Sequence, residues 1–288
     1  MRGIDHLVLV AHDLDALGRR YEALGFRVGA ENRHDWGTLN RIVQFDGCFL
    51  ELLTTEDAFE RPDDTAPVAQ FAGVIDDYLD QREGFAMLVL ESGDAVADHD
   101  DFTRRGIGAP SVFQFSRAGR TPDGRAVTVS FSLAFARPSQ PSAAGYFVCQ
   151  QHAPDLFWNP AFQQHPNGAK GVAGVVFQAA APDAFSGFFG DFTGVGQSVT
   201  LPGGWRIETP RGAIDCLDAQ GVEAIFGAGA ALPGAAAPGF AGVRFAVEDL
   251  GVCQRVLASG GITHCMVGGR LVVPPGEAVG VALAFETV

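Results

Sequence analysis

A strand-and-helix pattern occurs four times along the 288 residues, and this repetition limits the fold more than any other feature of the sequence. Each copy begins with a short run of β-branched and aliphatic residues, which is typical of a buried strand. An acidic residue follows each run, and a helix-like stretch of about a dozen residues comes after it. The four runs are IDHLVLV from Ile4, FAMLVLE from Phe85, VAGVVFQ from Val172 and FAGVRFA from Phe240. The repetition indicates four copies of one small module.

The first copy shows the order of elements within a module. Asp13 can cap a helix over residues 14–24, and Gly25 ends it. The turn Asp46-Gly47 is a strong hairpin signal between the last two strands of the module. The predicted strands are Asp5–Val10 before the helix and Phe26–Gly29, Leu39–Phe45 and Phe49–Leu53 after it. The order is therefore βαβββ.

The other three copies follow the same order. In the second, which starts at Gly84, the runs SVFQFSR, AVTVSFSLAFA and GYFVCQQ supply the later strands, with a tight turn at 121–124. The closing strands of the third and fourth copies are predicted at Ala213–Leu217 and Val279–Phe285. We therefore predict an α+β fold of four tandem βαβββ modules. Modules one and two would pair, as would three and four, to give two curved mixed sheets with helices on the outside.

Two irregular segments suggest how the modules are grouped. Residues 153–170 are rich in Pro, Asn and Gln, and residues 227–239 have the composition of a flexible linker. The first segment would separate an N-terminal domain, residues 1–165, from a C-terminal domain, residues 166–288. The second would separate modules three and four.

Composition narrows the function classes. With 47% apolar and 19% charged residues, the chain has enough apolar material for a core and too little charge for disorder. The net charge of −14, without a Lys/Arg cluster, argues against partners such as nucleic acid or an anionic membrane. Five widely spaced cysteines without a CxxC do not read as disulfides or a zinc ribbon, and the N-terminal apolar run is too short to span a membrane. We therefore expect a cytoplasmic protein.

The modules, the opening IDHLVLVAHDLDAL and the closing FLELL resemble the vicinal oxygen chelate superfamily, and the nearest branch is the glyoxalase-like domain proteins. The stretches Arg33–Arg41, Arg120–Gly124 and Phe147–His152 also look like that branch. The repeat is moderately specific for fold and poorly specific for reaction, because the superfamily includes isomerases, dioxygenases, epimerases and drug-binding proteins. It implies a cleft between paired modules that usually holds a divalent metal ion.

Carried over by resemblance, the metal ligands would be His6 in the first strand, Glu51 in the last strand, and His152. Such a donor set suits Zn²⁺, Fe²⁺, Mn²⁺ or Ni²⁺. Glu51 would also be catalytic, shuttling a proton. In module two, Met87 takes the place of His6, and the register around Gln150–His152 is uncertain by one residue, which decides the face. In modules three and four, Gly174 and Gly242 take that place and only Glu286 resembles a last-strand ligand, so the C-terminal half would lack the metal.

Each of these residues also has an ordinary structural reading. His6 can be a satisfied core histidine, Glu51 can pair with an arginine, and His152 can face solvent at a loop start. His34 and Trp36 can line the cleft mouth or anchor their loop. The expected substrate contacts are His34, Trp36, Asn40 and Gln150.

The function expected from this reading is a metal-dependent enzyme acting on a small molecule with adjacent oxygens. Lyase or isomerase chemistry is favoured over dioxygenase chemistry, which calls for a second histidine. The alternative is a metal-free binding or resistance protein of the same fold. No GxSxG, P-loop, HExxH or GxGxxG motif points elsewhere. The oligomeric state stays open, with a homodimer among the options.

Overall fold

The computed structural model describes residues 1–56, 59–60, 62–63, 65–120, 125–234 and 237–287. Two eight-stranded mixed sheets form the frame, with strand orders β2-β3-β4-β1-β5-β8-β7-β6 and β10-β11-β12-β9-β13-β16-β15-β14. The first sheet contains β1 (Ile4–Val10), β2 (Asn32–Arg33), β3 (Thr38–Gln44), β4 (Phe49–Thr55), β5 (Gly84–Glu91), β6 (Gly108–Arg120), β7 (Ala126–Ala136) and β8 (Gly145–Gln151). The second contains β9 (Ala169–Gln178), β10 (Val199–Leu201), β11 (Gly204–Glu208), β12 (Ala213–Leu217), β13 (Gly239–Val247), β14 (Cys265–Val267), β15 (Arg270–Val273) and β16 (Ala282–Thr287).

The strand order confirms the predicted α+β fold. In each sheet the first strands of two modules lie side by side and antiparallel, β1 with β5 and β9 with β13. Each first strand also pairs in parallel with the last strand of its own module. Modules one and two therefore share one sheet, and modules three and four share the other. The predicted tight turn at 121–124 lies outside the described residues.

The helices occupy both faces of the sheets. They are α1 (Leu14–Ala23), α2 (Ala69–Leu79), α3 (Ala95–Arg104), α4 (Ser186–Thr193), α5 (Ala219–Phe226) and α6 (Leu250–Ser259). Apolar residues of α1, α3, α4 and α6 join one large core with both sheets. Helices α2 and α5 instead pack on the opposite, concave faces, in two smaller cores. Among the described residues, no helix is long and apolar enough to cross a membrane.

The predicted strand at Phe26–Gly29 was wrong, because the second strand of module one is Asn32–Arg33. Phe26 is buried and packs against the rings of Phe45, directly after β3 of the first sheet, and Phe245, in β13 of the second. Its backbone N–H donates a hydrogen bond to the carbonyl of Tyr21, near the end of α1. The apolar character of this segment therefore serves the core between the sheets. It makes one backbone hydrogen bond with β3, from the Gly29 N–H to the Ile42 carbonyl, and the paired strand is Asn32–Arg33.

Candidate functional site

A cleft opens on the concave face of the N-terminal sheet. Helix α2 contributes Phe71 to one wall. The apolar lining consists of Trp36, Ile42, Phe49, Phe71, Phe115, Phe131, Leu133, Phe147, Cys149 and Phe157, and the polar lining of His6, His34, Asn40, Glu51 and Arg117. This composition, an apolar wall with a few convergent polar groups, is typical of a small-molecule site.

His6 and Glu51 meet at the floor of this cleft. In the β1–β4 register His6 lies opposite Phe49 and Val8 lies opposite Glu51, so the two side chains are neighbours on one face. Both residues are about 95% buried, and His6 Nε2 lies 3.8 Å from Glu51 Oε2. That distance is too long for a hydrogen bond.

Asp5 orients the His6 ring from behind. Its Oδ2 lies 2.6 Å from His6 Nδ1, and its Oδ1 accepts a hydrogen bond from Gln151 Nε2 at 3.0 Å. The imidazole also stacks on Phe49, with ring centres 4.3 Å apart. Because Nδ1 is engaged, the free nitrogen, Nε2, faces Glu51. A carboxylate behind a histidine in this way fixes the tautomer and raises the basicity of the exposed nitrogen.

Glu51 is held in a similar way. Asn40 Nδ2 donates to Glu51 Oε1 at 2.5 Å, and Asn32 Nδ2 donates to Asn40 Oδ1 at 3.1 Å. Arg117 Nη1 lies 3.5 Å from Asn32 Oδ1, at the limit of a hydrogen bond. Among the described residues no arginine forms an ion pair with Glu51. One carboxylate oxygen is therefore anchored by an amide, and the other faces His6.

His34 and Trp36 lie together on the wall of the cleft. Their rings stack at 4.4 Å, and His34 Nδ1 is 2.8 Å from the hydroxyl of buried Thr38. Burial lowers the pKa of His34 below its usual value, while Glu51 acts in the opposite direction. The indole Nε1 of Trp36 is buried and has no hydrogen-bond partner among the residues that the structure describes.

The structure does not bring His152 and Gln150 into the cleft. His152 Nε2 lies 2.8 Å from Ser132 Oγ, and the neighbouring residue Leu133 is the one that lines the cleft. Gln150 bonds to the backbone of Gly93 and Ala95 at the start of α3, on the other face of the sheet. The uncertain register is thereby resolved. Val89 faces Phe147 in module two as Val8 faces Glu51 in module one, so the counterpart of Glu51 is a phenylalanine.

A divalent ion fits this donor set through two protein ligands. Two atoms bound to one such ion by bonds of about 2.0–2.2 Å can lie up to about 4.4 Å apart, and His6 Nε2 and Glu51 Oε2 satisfy this. Both have their second polar atom engaged elsewhere. Across the described residues, however, no three His, Cys, Asp or Glu side chains are grouped so as to hold a metal ion. Water or substrate would have to complete the coordination.

Asp5 and Arg117 were not predicted as site residues from the sequence. In a regular strand, alternation would turn Asp5 away from His6 and place Ile4 on the same face as His6. The register of β1 against β5 shifts between Ile4 and His6, and Ile4 joins the core between the sheets. Arg117 reaches the cleft because β6 forms the far edge of the same curled sheet. The adjacency of Asp5 and His6 was a usable signal, but nothing local marked Arg117.

The C-terminal sheet carries a counterpart of Glu51 that the sequence analysis missed. Val176 faces Asp215 across β9 and β12, as Val8 faces Glu51 across β1 and β4. In module four the matching position is Ala284, opposite Arg244, so the expectation that Glu286 is the last-strand counterpart was wrong.

Arginines neutralise the carboxylates of this second sheet. Asp215 is fully buried and accepts two hydrogen bonds from Arg206, at 2.5 and 2.9 Å, while Arg244 Nη2 lies 3.3 Å away. Arg244 also bonds Glu286 at 2.6 Å, and Arg270 bonds the other oxygen of Glu286 at 2.7 Å. These contacts leave the C-terminal counterpart without a free carboxylate.

Paired βαβββ modules around a cleft of this kind define a protein of the vicinal oxygen chelate fold. The model of the glyoxalase-like domain matches residues 4–190, about two thirds of the sequence, and the chain belongs to that family. Among curated proteins none matches the sequence.

Solved structures share the fold at low identity. A hypothetical protein from Staphylococcus aureus covers 100% of both chains with a TM-score of 0.70 and 12% identity. A mutant of 4-hydroxymandelate synthase from Streptomyces coelicolor covers 99% of this chain and 92% of its own, with a TM-score of 0.56 and 13% identity. At these identities the likeness concerns the fold.

Proposed function

We propose that this protein is an enzyme that moves a proton on a small molecule with two adjacent oxygens, in an isomerase or lyase reaction. The observation that carries the proposal is the pair His6 Nε2 and Glu51 Oε2. These atoms lie 3.8 Å apart on the floor of an apolar cleft, and Asp5 and Asn40 hold the other ends of the two side chains. The two atoms face each other on the cleft floor without a hydrogen bond, so one shared partner in the cleft can satisfy both.

In this proposal His6 and Glu51 hold a divalent ion, of the Zn, Fe, Mn or Ni type. When bound, the ion supplies Lewis-acid stabilisation of a developing oxyanion. Asp5 keeps the basic nitrogen of His6 directed into the cleft. Asn40 holds one oxygen of Glu51 and leaves the other to face the ion and the substrate, and this carboxylate is the group we assign to proton transfer. The aromatic walls exclude water, which strengthens each charge interaction on the floor.

Dioxygenase chemistry is less well supported. It would call for a second histidine beside His6 and Glu51. The register counterparts in module two are Met87 and Phe147, and His34 is engaged with Thr38. We therefore propose proton transfer ahead of oxygen chemistry.

Metal analysis of untagged protein tests the metal part of the proposal. Wild-type protein equilibrated with Zn²⁺, Mn²⁺, Fe²⁺ or Ni²⁺ should retain about one ion per chain after desalting. Glu51→Gln and His6→Gln should retain none, while Glu248→Gln, at an exposed carboxylate, should behave like wild type. Retention of the ion by Glu51→Gln would refute the proposed ligand set.

Hydrogen exchange tests the proton transfer itself. With hydroxyacetone and other small molecules that carry adjacent oxygens, loaded wild-type protein in D₂O should exchange the carbon-bound proton next to the carbonyl, as followed by ¹H NMR. Glu51→Gln should abolish this exchange. Exchange at the wild-type rate in that variant would exclude Glu51 as the base.

A metal-free binding protein is the second candidate. The absence of a third His, Cys, Asp or Glu near His6 and Glu51 within the described part of the chain favours it, as do the apolar residues at both module-two positions. Wild-type protein that retains no ion and exchanges no proton, yet binds a ligand in the cleft, would establish this candidate over the first.

A further inference from the structure

One cation in the cleft forms no ion pair with any carboxylate in the described part of the chain, although it interacts at longer range with Glu51. Arg117 lies on β6, is partly buried and lines the same cleft as Glu51. Its polar contact is a 3.5 Å approach to the side-chain oxygen of Asn32, a neutral group. Among the residues that the structure describes, no carboxylate lies within ion-pair distance of it. A partly buried guanidinium that faces a cleft gains stability when an anion binds to it.

A second donor nearby is also unsatisfied. The indole N–H of Trp36 is buried without an acceptor in the described ranges of the chain, and the Trp36 ring contacts Phe115, with centres 4.9 Å apart. Phe115 and Arg117 are alternate residues of β6 and both line the cleft. A buried N–H without an acceptor costs about 1–3 kcal/mol, so an acceptor on a ligand is the natural partner.

The walls beside these donors are flat and aromatic. The rings of Phe115 and Phe131 lie nearly parallel, with centres 5.1 Å apart, and Trp36 meets Phe71 edge to face at 6.0 Å. Aromatic side chains in such arrangements accept a further ring by stacking or by edge contact. The cleft therefore offers an anion partner, a hydrogen-bond donor and a surface for a planar ring together.

We propose that the ligand of this cleft is a small aromatic carboxylic acid, whose carboxylate pairs with Arg117 and accepts from the Trp36 indole while its ring packs against the phenylalanines. The assignment of substrate class rests on the proposed function for its reacting end, but binding itself does not require catalysis. A planar carboxylate matches the fork of a single arginine, whereas a phosphate would call for more donors than the cleft provides.

Calorimetric titration with benzoate, phenylacetate and benzoylformate tests the proposal, with the methyl ester of each acid and with acetate and pyruvate as ringless acids. At least one aromatic acid should bind with a Kd below about 1 mM. Its ester and the ringless acids should bind at least about tenfold more weakly. An ester that binds as well as its acid, or no binding by any of the three acids, would overturn the proposal.

Variants identify the side chains involved. Arg117→Met should weaken binding of the aromatic acid by about tenfold or more and leave binding of the ester unchanged. Arg33→Met, at an exposed arginine on neighbouring β2, should bind like wild type. Trp36→Phe keeps a ring but removes the N–H. It should weaken binding of the aromatic acid, which gives a second readout. Unaltered acid binding by both Arg117→Met and Trp36→Phe contradicts the assignment.

The same titrations are run on metal-stripped and metal-loaded protein, so that the two proposals fail separately. Arg117-dependent binding of an acid by a protein that retains no ion supports the ligand assignment and removes the metal-dependent enzyme. If the protein binds an ion through His6 and Glu51 but binds none of the acids, the metal-dependent enzyme is supported and the ligand assignment is removed.

Discussion

The guanidinium of Arg244 fills the space that a side chain at Gly174 would occupy. A Cβ built on Gly174 would lie 2.5 Å from Arg244 Nη2. Gly174 holds the position of His6 in the third module, two register pairs from Asp215. The second half thus provides a fixed cation where the first half provides a histidine. A carboxylate already neutralised by the chain has no need of an external cation, so function is expected in the N-terminal cleft.

Removal of Arg244 should destabilise the protein strongly. Arg244→Met leaves Asp215 fully buried with Arg206 alone and removes one partner of Glu286. The loss of one member of a buried ion pair costs about 3–5 kcal/mol, and the remaining Arg206 places the expected effect near the lower end. Urea denaturation measures it. The double variant Arg244→Met/Asp215→Leu, which also removes the buried charge, should recover part of the loss, and a single variant as stable as wild type would contradict this account.

A methyl group at position 174 should also be harmful. Besides Arg244 Nη2, the Cβ of Gly174→Ala would lie 2.8 Å from the carbonyl oxygen of Ala213, which is backbone and cannot turn aside. Overpacking of this kind costs about 1–3 kcal/mol. Gly171→Ala, in the same strand with nothing within 4 Å, is the matched control and should leave the unfolding midpoint almost unchanged. Equal midpoints for the two variants would show that Arg244 and the Ala213 backbone can both give way without cost, which would contradict this account.

Much of this fold could be predicted because repetition is visible in sequence. The four first strands share a pattern, and module pairing follows from it. Placement of His6 and Glu51 on one cleft face needed only strand alternation within a known module. Alternation failed where the backbone is irregular, at the register shift beside Asp5.

Other parts of the site depend on contacts distant in sequence. Arg117 enters the cleft from the edge strand β6, and its role depends on how far the sheet curls. His152 follows directly after β8, and its side chain reaches Ser132 rather than the cleft. Asp215 sits in the short run AIDCL, where a buried carboxylate can be understood only with Arg206 and Arg244 in place. Local pattern does not contain these relationships.

Asp5 should act as a positioning residue for the proposed ion. Asp5→Asn keeps the shape of the side chain but weakens the hold on His6 Nδ1. Outer carboxylates of this kind typically change metal affinity by about 10–100-fold, so the variant should bind Zn²⁺ more weakly by that factor. Competition with a chromogenic chelator measures the affinity. Asp100→Asn, at an exposed aspartate, is the control, and affinity equal to wild type in Asp5→Asn would remove this role.

The stability of the protein should fall as the pH drops below about 6.5, in part because of His165. The Nδ1 atom of His165 accepts a hydrogen bond from the Arg27 backbone N–H at 3.0 Å, and Nε2 is 2.8 Å from the Gln44 carbonyl. If the ring were protonated, Nδ1 would carry a hydrogen and could no longer accept the hydrogen bond from the Arg27 N–H. Burial is the main cause that lowers the pKa of His165 below 6.5, against the opposing effect of the Gln44 carbonyl, and the pKa of His34 is lowered in the same direction.

The sign of the effect follows from proton binding. Between the lowered pKa in the folded state and 6.5, the unfolded chain binds more protons than the folded one, so acid favours unfolding and stability rises with pH through this window. As the pH is raised from about 5.5 to about 8, the urea midpoint of the wild type should therefore rise. The midpoint of His165→Gln should rise less, even if that variant is less stable at every pH. A slope in His165→Gln equal to that of wild type would show that the buried ring does not contribute to the acid sensitivity.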